Sequence, residues 1–192
     1  NHLLQTVFFK IDVLLLRRID GPVVVGWYST AYKWIDALLI IPPAVTMALF
    51  PILSRRAGDD PEGLRRAYGI AVRWLLMLAL PIAAATTFSA TLLIGILGGR
   101  EFLPHGATAL QIMIWFLPLS FVNGLTQYVL IALNRQRWIT VSFAIAATFN
   151  VVANMMVIPV YSYSGAAAVT IASEVVLLLP FLWGLRDLGT PP

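Results

Sequence analysis

The sequence predicts an all-α membrane protein, a bundle of six transmembrane helices, and three observations carry that prediction. Apolar residues make up 59% of the chain and charged residues 11%, where a soluble domain carries roughly 25% charge. From Trp138 to Ser173, thirty-six consecutive residues include no Asp, Glu, Lys or Arg. A bilayer core needs about 20 apolar residues per helix, so that run is long enough for two crossings. Eleven of the thirteen basic residues are Arg, and nearly all stand in short clusters between apolar runs, as positive-inside topology requires. The net charge of +4 therefore speaks to orientation, not to nucleic acid. The absence of cysteine excludes a disulfide framework and a thiolate metal site. The chain opens at Asn1-His2 with no Met and no basic stretch ahead of a cleavage site, so no signal peptide is expected. A piece of a longer protein is expected instead.

Taken in order, the expected helices cover residues 3–18, 28–53, 64–98, 107–133, 138–158 and 165–185, within a single unit of 1–192. The first is interrupted by Lys10 and Asp12. The second contains Pro42, Pro43 and Pro51, which a membrane helix tolerates at the expense of a kink. Ahead of the third, Asp60 suits an N-cap and Pro61 the first helical position. That helix starts as an Arg-rich surface segment and submerges at Trp74. Gly95 and Gly99 have GxxxG spacing but abut Arg100-Glu101, and read as a helix end. The last two helices are separated around Pro159, which lacks an N–H. Basic residues at alternating ends number eight (Arg55, Arg56, Arg65, Arg66, Arg73, Arg135, Arg137, Arg186) against four (Arg17, Arg18, Arg100, Lys33). The richer side is expected to be cytoplasmic, with both ends of the segment on it.

A few polar residues interrupt the apolar runs, and helical spacing groups them. Ser120, Asn123, Gln127 and Asn134 form one stripe; Asn150 and Asn154 form a second, and Thr170 and Glu174 a third. Gln5 shares a face with Asp12, from which Lys10 points away. Asn150 and Asn154 read as glue between helices, where each hydrogen bond contributes ~0.6 kcal/mol. Asp12 and Glu174 read as functional, because an acid in hydrocarbon costs about 2.5–3.5 kcal/mol on insertion scales. Lys10 either snorkels or pairs with an acid on another helix. Lys33 and Asp36 read as an interfacial ion pair. His2 and His105 have no partners at metal spacing and are assigned no chemistry. No phosphate loop, nucleophile elbow or zinc-protease motif is present. One wet stripe on each of several helices implies a bundle around a polar cavity.

Several blocks together resemble the polysaccharide-biosynthesis (O-antigen flippase) family of the multidrug/oligosaccharidyl-lipid/polysaccharide exporter superfamily. They are Ile11 to Leu16, Val25 to Lys33, Ala48 to Ser54, Gly99 to Phe102 with Ala109 to Ile112, and Ala132 to Arg137. The fullest is Asn150 to Asn154 followed by Ile158-Pro159, Gly165 to Ala168, Thr170 and Glu174. Lys10 and Trp27 depart from the family's pattern. The resemblance implies a MATE-like fold of two pseudo-symmetric lobes of six helices, of which this chain would be the C-terminal one, with the N-terminal lobe absent. It further implies a flippase of the bacterial inner membrane that carries a lipid-linked oligosaccharide outward by alternating access.

On that reading Lys10, Asp12, Asn123, Gln127 and Glu174 line the cavity between lobes, and Asp12 and Glu174 couple to H+ or Na+. No catalytic residue, metal or organic cofactor is expected. The partners are the glycan-lipid substrate, membrane lipids and the other lobe. A drug/cation antiporter of the same superfamily is the nearest alternative. A membrane-embedded glycan polymerase or ligase fits less well, because every loop here is short, and the intramembrane acids argue against a purely structural subunit.

Overall fold

The structure, a computed structural model, describes residues 2–186. Asn1 and residues 187–192, the outermost part of the expected unit, lie outside the described residues. Among these there are seven α-helices: α1 (His2–Ile19), α2 (Pro22–Leu38), α3 (Ile41–Asp59), α4 (Pro61–Leu97), α5 (His105–Met113), α6 (Leu117–Ala132) and α7 (Gln136–Leu185). Four stretches are long and apolar enough to cross a membrane: Pro22–Gly58, Pro61–Leu97, His105–Ala132 and Gln136–Leu185. Helix α1 is not among them, since its 18 residues include Lys10, Asp12, Arg17 and Arg18.

Local chemistry sets each boundary. Gly21 takes φ +87°, a left-handed value open to glycine, and Pro22 then starts α2. That start precedes the expected residue 28, because proline suits the first helical position, where no N–H is needed. The helix lapses at Leu39–Ile40 and resumes as α3. Pro42 and Pro43 have no N–H to offer the carbonyls of Leu38 and Leu39, so the kink falls just ahead of the proline pair. At the start of α4 the Asp60 carboxylate accepts from the Gly63 backbone N–H at 2.8 Å, and Pro61 follows it. Gly98 caps the far end of α4, followed by Gly99 at φ +89°.

Helix α7 has 50 residues, ~75 Å at 1.5 Å per residue, more than twice the ~30 Å hydrocarbon core. It does not run straight. Ser162 has φ 52° and ψ −139° inside it, and beyond that point the chain folds back on itself. Contacts nest around the break: Asn150 bonds Ser173 at 2.9 Å, and a Cβ on Gly184 would lie 2.9 Å from the Trp138 ring. Residues 136–161 and 163–185 are thus two antiparallel limbs. The turn at Ser162 falls within the expected interruption between residues 158 and 165, although the helix continues through Pro159. Two features favour this position. The Ser162 hydroxyl donates to Asp20 Oδ2 at 2.7 Å, and Gly165 permits close approach, since a Cβ there would meet Val157 Cγ1 at 2.6 Å and Tyr161 Cβ at 2.9 Å.

Large apolar side chains point outward around the bundle. Phe88 is 90% exposed, Ile96 74% and Met156 71%, a surface that fits hydrocarbon and not water. Inward, Ala71, Ala79, Ala83 and Ala90 form the buried face of α4, and such small residues let membrane helices approach closely. Helices α5 and α6 sit in the middle, with α6 packed against α3, α4 and α7. Replacing Gly165 by Ala should lower stability by about 1–3 kcal/mol, the usual range for an overpacked site. Thermal unfolding in detergent checks this, with Gly69→Ala as control, because a Cβ at Gly69 meets nothing within 4 Å.

Candidate functional site: a buried polar seam

Two carboxyl groups lie inside the bundle, Asp12 on α1 and Glu174 on the second limb of α7, each 1% exposed. A buried charge is costly unless paired or hydrogen-bonded, so their partners define the site. Asp12 Oδ2 accepts from the Tyr28 hydroxyl at 2.7 Å and from the Tyr32 hydroxyl at 2.9 Å. Its Oδ1 accepts from the Val13 backbone N–H at 2.8 Å. Tyr28 and Tyr32 stand four residues apart on α2, which puts both on one helical face. The Tyr28 hydroxyl also lies 3.3 Å from Thr170 Oγ1, one turn before Glu174 on α7.

Glu174 is held from α6. Asn123 Nδ2 donates to Glu174 Oε2 at 2.6 Å and to its backbone carbonyl at 2.9 Å. The Ser120 side chain is a second hydrogen-bonding neighbour of the same carboxyl group. A third link joins the limbs of α7: Asn150 Nδ2 donates to Ser173 Oγ at 2.9 Å, and Asn154 Nδ2 to Asn150 Oδ1 at 2.9 Å. The result is one polar seam through the bundle, with Asp12 at one end and Glu174 further along.

Asp12, Asn123 and Glu174 therefore belong to one seam, whereas Gln127 stands apart from it. Lys10 lies at its edge: it is exposed, its Nζ lies 5.5 Å from the centre of the Tyr32 ring, and its charge also acts on Asp12. Gln127 is half-buried. Asn134 does not extend the α6 stripe: the helix ends at Ala132, and Asn134 turns the chain at φ 57°. Lys33 and Asp36 do not pair, since among the described residues the sole ion pair is Arg66 with Glu62 at 3.8 Å. Among these residues no group of three or more His, Cys, Asp or Glu is placed to hold a metal.

Sequence reasoning missed Tyr28, Tyr32 and Ser173. The spacing of the tyrosines gave a signal, but each ring reads equally well as apolar packing. His105 also has more company than expected: it stacks on Trp27 with centroids 4.2 Å apart, and its Nδ1 lies 3.0 Å from the Tyr163 hydroxyl.

Apolar stretches of crossing length, apolar side chains facing out and acids sealed within define a multi-pass membrane protein. The chain belongs to the MatE family, whose model matches residues 1–156. An uncharacterized membrane protein of Methanocaldococcus jannaschii is 26% identical over 183 residues, covering 93% of this chain and 35% of that protein. Among solved structures, the lipid II flippase MurJ in an inward closed conformation superposes with a TM-score of 0.76 at 13% identity, covering 96% of this chain and 41% of that one. That likeness is one of fold. The chain spans little more than a third of the length of these larger proteins.

The seam makes a graded prediction. Tyr28→Phe removes a donor from a buried carboxylate and should lower stability by about 1–3 kcal/mol, because the acceptor stays buried with one fewer partner. Lys10→Ala, at an exposed position, should shift it by less than about 0.5 kcal/mol. Thermal unfolding of the purified variants measures both.

Proposed function

We propose that this chain is one lobe of a lipid flippase that carries a lipid-linked oligosaccharide across the cytoplasmic membrane, in a bacterium the inner membrane. The observation that carries the reading is the seam itself: two buried acids hydrogen-bonded across helices inside a MatE-family bundle. In the proposed arrangement α1 is a sixth crossing alongside the four apolar stretches, the last of which is doubled, and a second six-helix lobe faces it. Both ends of the segment lie in the cytoplasm. Repeat-built transporters bind cargo between lobes and rock around it, and MurJ, a lipid II flippase, has a similar fold.

Asp12 and Glu174 are the proposed coupling sites, each taking up a proton or Na+ when the seam opens to water. Asn123 holds Glu174 in position, and Lys10 and Gln127, outside the sealed part, meet the polar cargo. Lys10 supplies positive charge for a pyrophosphate. Translocation makes and breaks no covalent bond, so no catalytic constellation is needed. The two buried acids also favour a second reading, a drug/cation antiporter with the same coupling residues.

In cells lacking the full-length protein, the glycan-lipid should accumulate on the cytoplasmic leaflet and disappear from the outer face. Unchanged exposure of the glycan overturns the flippase reading. Glu174→Gln keeps the volume and can still accept from Asn123, so it should leave thermal stability intact yet slow translocation at least about tenfold. Efflux of cationic dyes that collapses in the same variant, with glycan exposure intact, selects the antiporter.

A further inference from the structure

The end of the molecule where α3 turns into α4 carries a second feature, outside the seam. Arg55 and Arg56 close α3, and Arg65, Arg66 and Arg73 lie on the opening turns of α4; all five are exposed. The acids in the same turn are Asp59, Asp60 and Glu62. Of these, Asp60 caps α4 and Glu62 pairs with Arg66. Arg56 Nη1 donates to the Gly63 carbonyl at 2.9 Å across the turn, which fixes the guanidinium and leaves its other N–H groups to an external acceptor.

Between the two helices runs an apolar groove of about 580 Å3, lined by Ala48, Leu49, Ile52, Ala67, Ile70 and Trp74, with Arg56 also on its wall. Arg56 sits at the turn and Trp74 furthest from it, so the groove is charged at one end and oily along its length. Its depth in the membrane follows from length. Helix α4 has 37 residues, ~55 Å at 1.5 Å per residue, against a core of ~30 Å. The Arg-bearing end therefore extends into the headgroup layer. Trp74, 68% exposed, closes the groove at its apolar end.

We propose that this hairpin is a docking site for an anionic glycerophospholipid, with the phosphate at Arg56 and one acyl chain in the groove between Ile52 and Ile70. Charge selects the headgroup: a surplus of arginine suits a lipid of net negative charge over a zwitterionic one. The apolar wall selects a lipid over free phosphate, which would leave the groove empty. A second copy of the chain would set arginine against arginine. The proposal rests on membrane embedding alone and is independent of the cargo proposed above.

The test uses the full-length protein in neutral detergent, with lipid retention read by native mass spectrometry. Phosphatidylglycerol should be retained in preference to phosphatidylcholine of the same chains. The double variant Arg55→Gln/Arg56→Gln should lower its retention about tenfold or more, each arginine contributing about fivefold. Ala67→Phe, which fills the groove, should lower it too, and Arg17→Gln/Arg18→Gln at the opposite end of the molecule should not. If loss of the Arg56–Gly63 bond impairs folding, Arg55→Gln/Arg73→Gln carries the test. Equal retention of phosphatidylcholine overturns the proposal, as does displacement by glycerol phosphate alone or by equimolar polyprenyl diphosphate. Insensitivity to Ala67→Phe, as when another part of the full-length chain already fills the groove, overturns it as well.

Discussion

A carboxyl group buried in an apolar bundle must find its hydrogen bonds within the protein, and this requirement shapes the fold. Asp12 takes two tyrosine hydroxyls from α2 and Glu174 takes an amide from α6. The partners come from other helices, so satisfying the acids also sets how α1, α2, α6 and α7 approach one another. In membrane proteins a typical side-chain hydrogen bond between helices contributes only ~0.6 kcal/mol. Leaving a buried charge without partners costs several times more. The penalty for a wrong arrangement thus outweighs the gain from any single bond, and it favours one packing of the helices over its alternatives.

The same reasoning separates what packs from what works. Asn150 and Ser173 satisfy each other across the limbs of α7 and behave as glue. Glu174 differs in kind, because it is an acid in the middle of an apolar limb, held from α6 by Asn123.

Much of the fold was legible from the sequence because hydrocarbon imposes length and polarity rules that act residue by residue. The N-cap at Asp60 and the end of α4 near Gly98 follow from local chemistry and were readable. The stretch that holds the α7 turn was readable too, but its residue was not. Pro159 is the strongest local signal, yet the turn forms where Gly165 clears Val157 and where Ser162 meets Asp20, a residue far away in sequence. The site divided in the same way: Asp12 and Glu174 stand out by their charge in apolar surroundings, whereas Tyr28 and Tyr32 look like packing until the fold brings their hydroxyls to Asp12. Lys33 and Asp36 show the converse, since helical spacing permits an ion pair that the exposed side chains do not form.

The two limbs of α7 are joined midway by Asn150 and Ser173 and at their open end by Arg135 Nη1 on the Gly184 carbonyl at 2.6 Å, while Ser162 pins the fold-back to Asp20 beside α1. A pair so fastened resists splaying. The joint at Leu39–Ile40 is braced less from within, because Pro42 and Pro43 withhold two hydrogen bonds of the ladder, and there the packing of α3 on α4 and α6 keeps the bend in place.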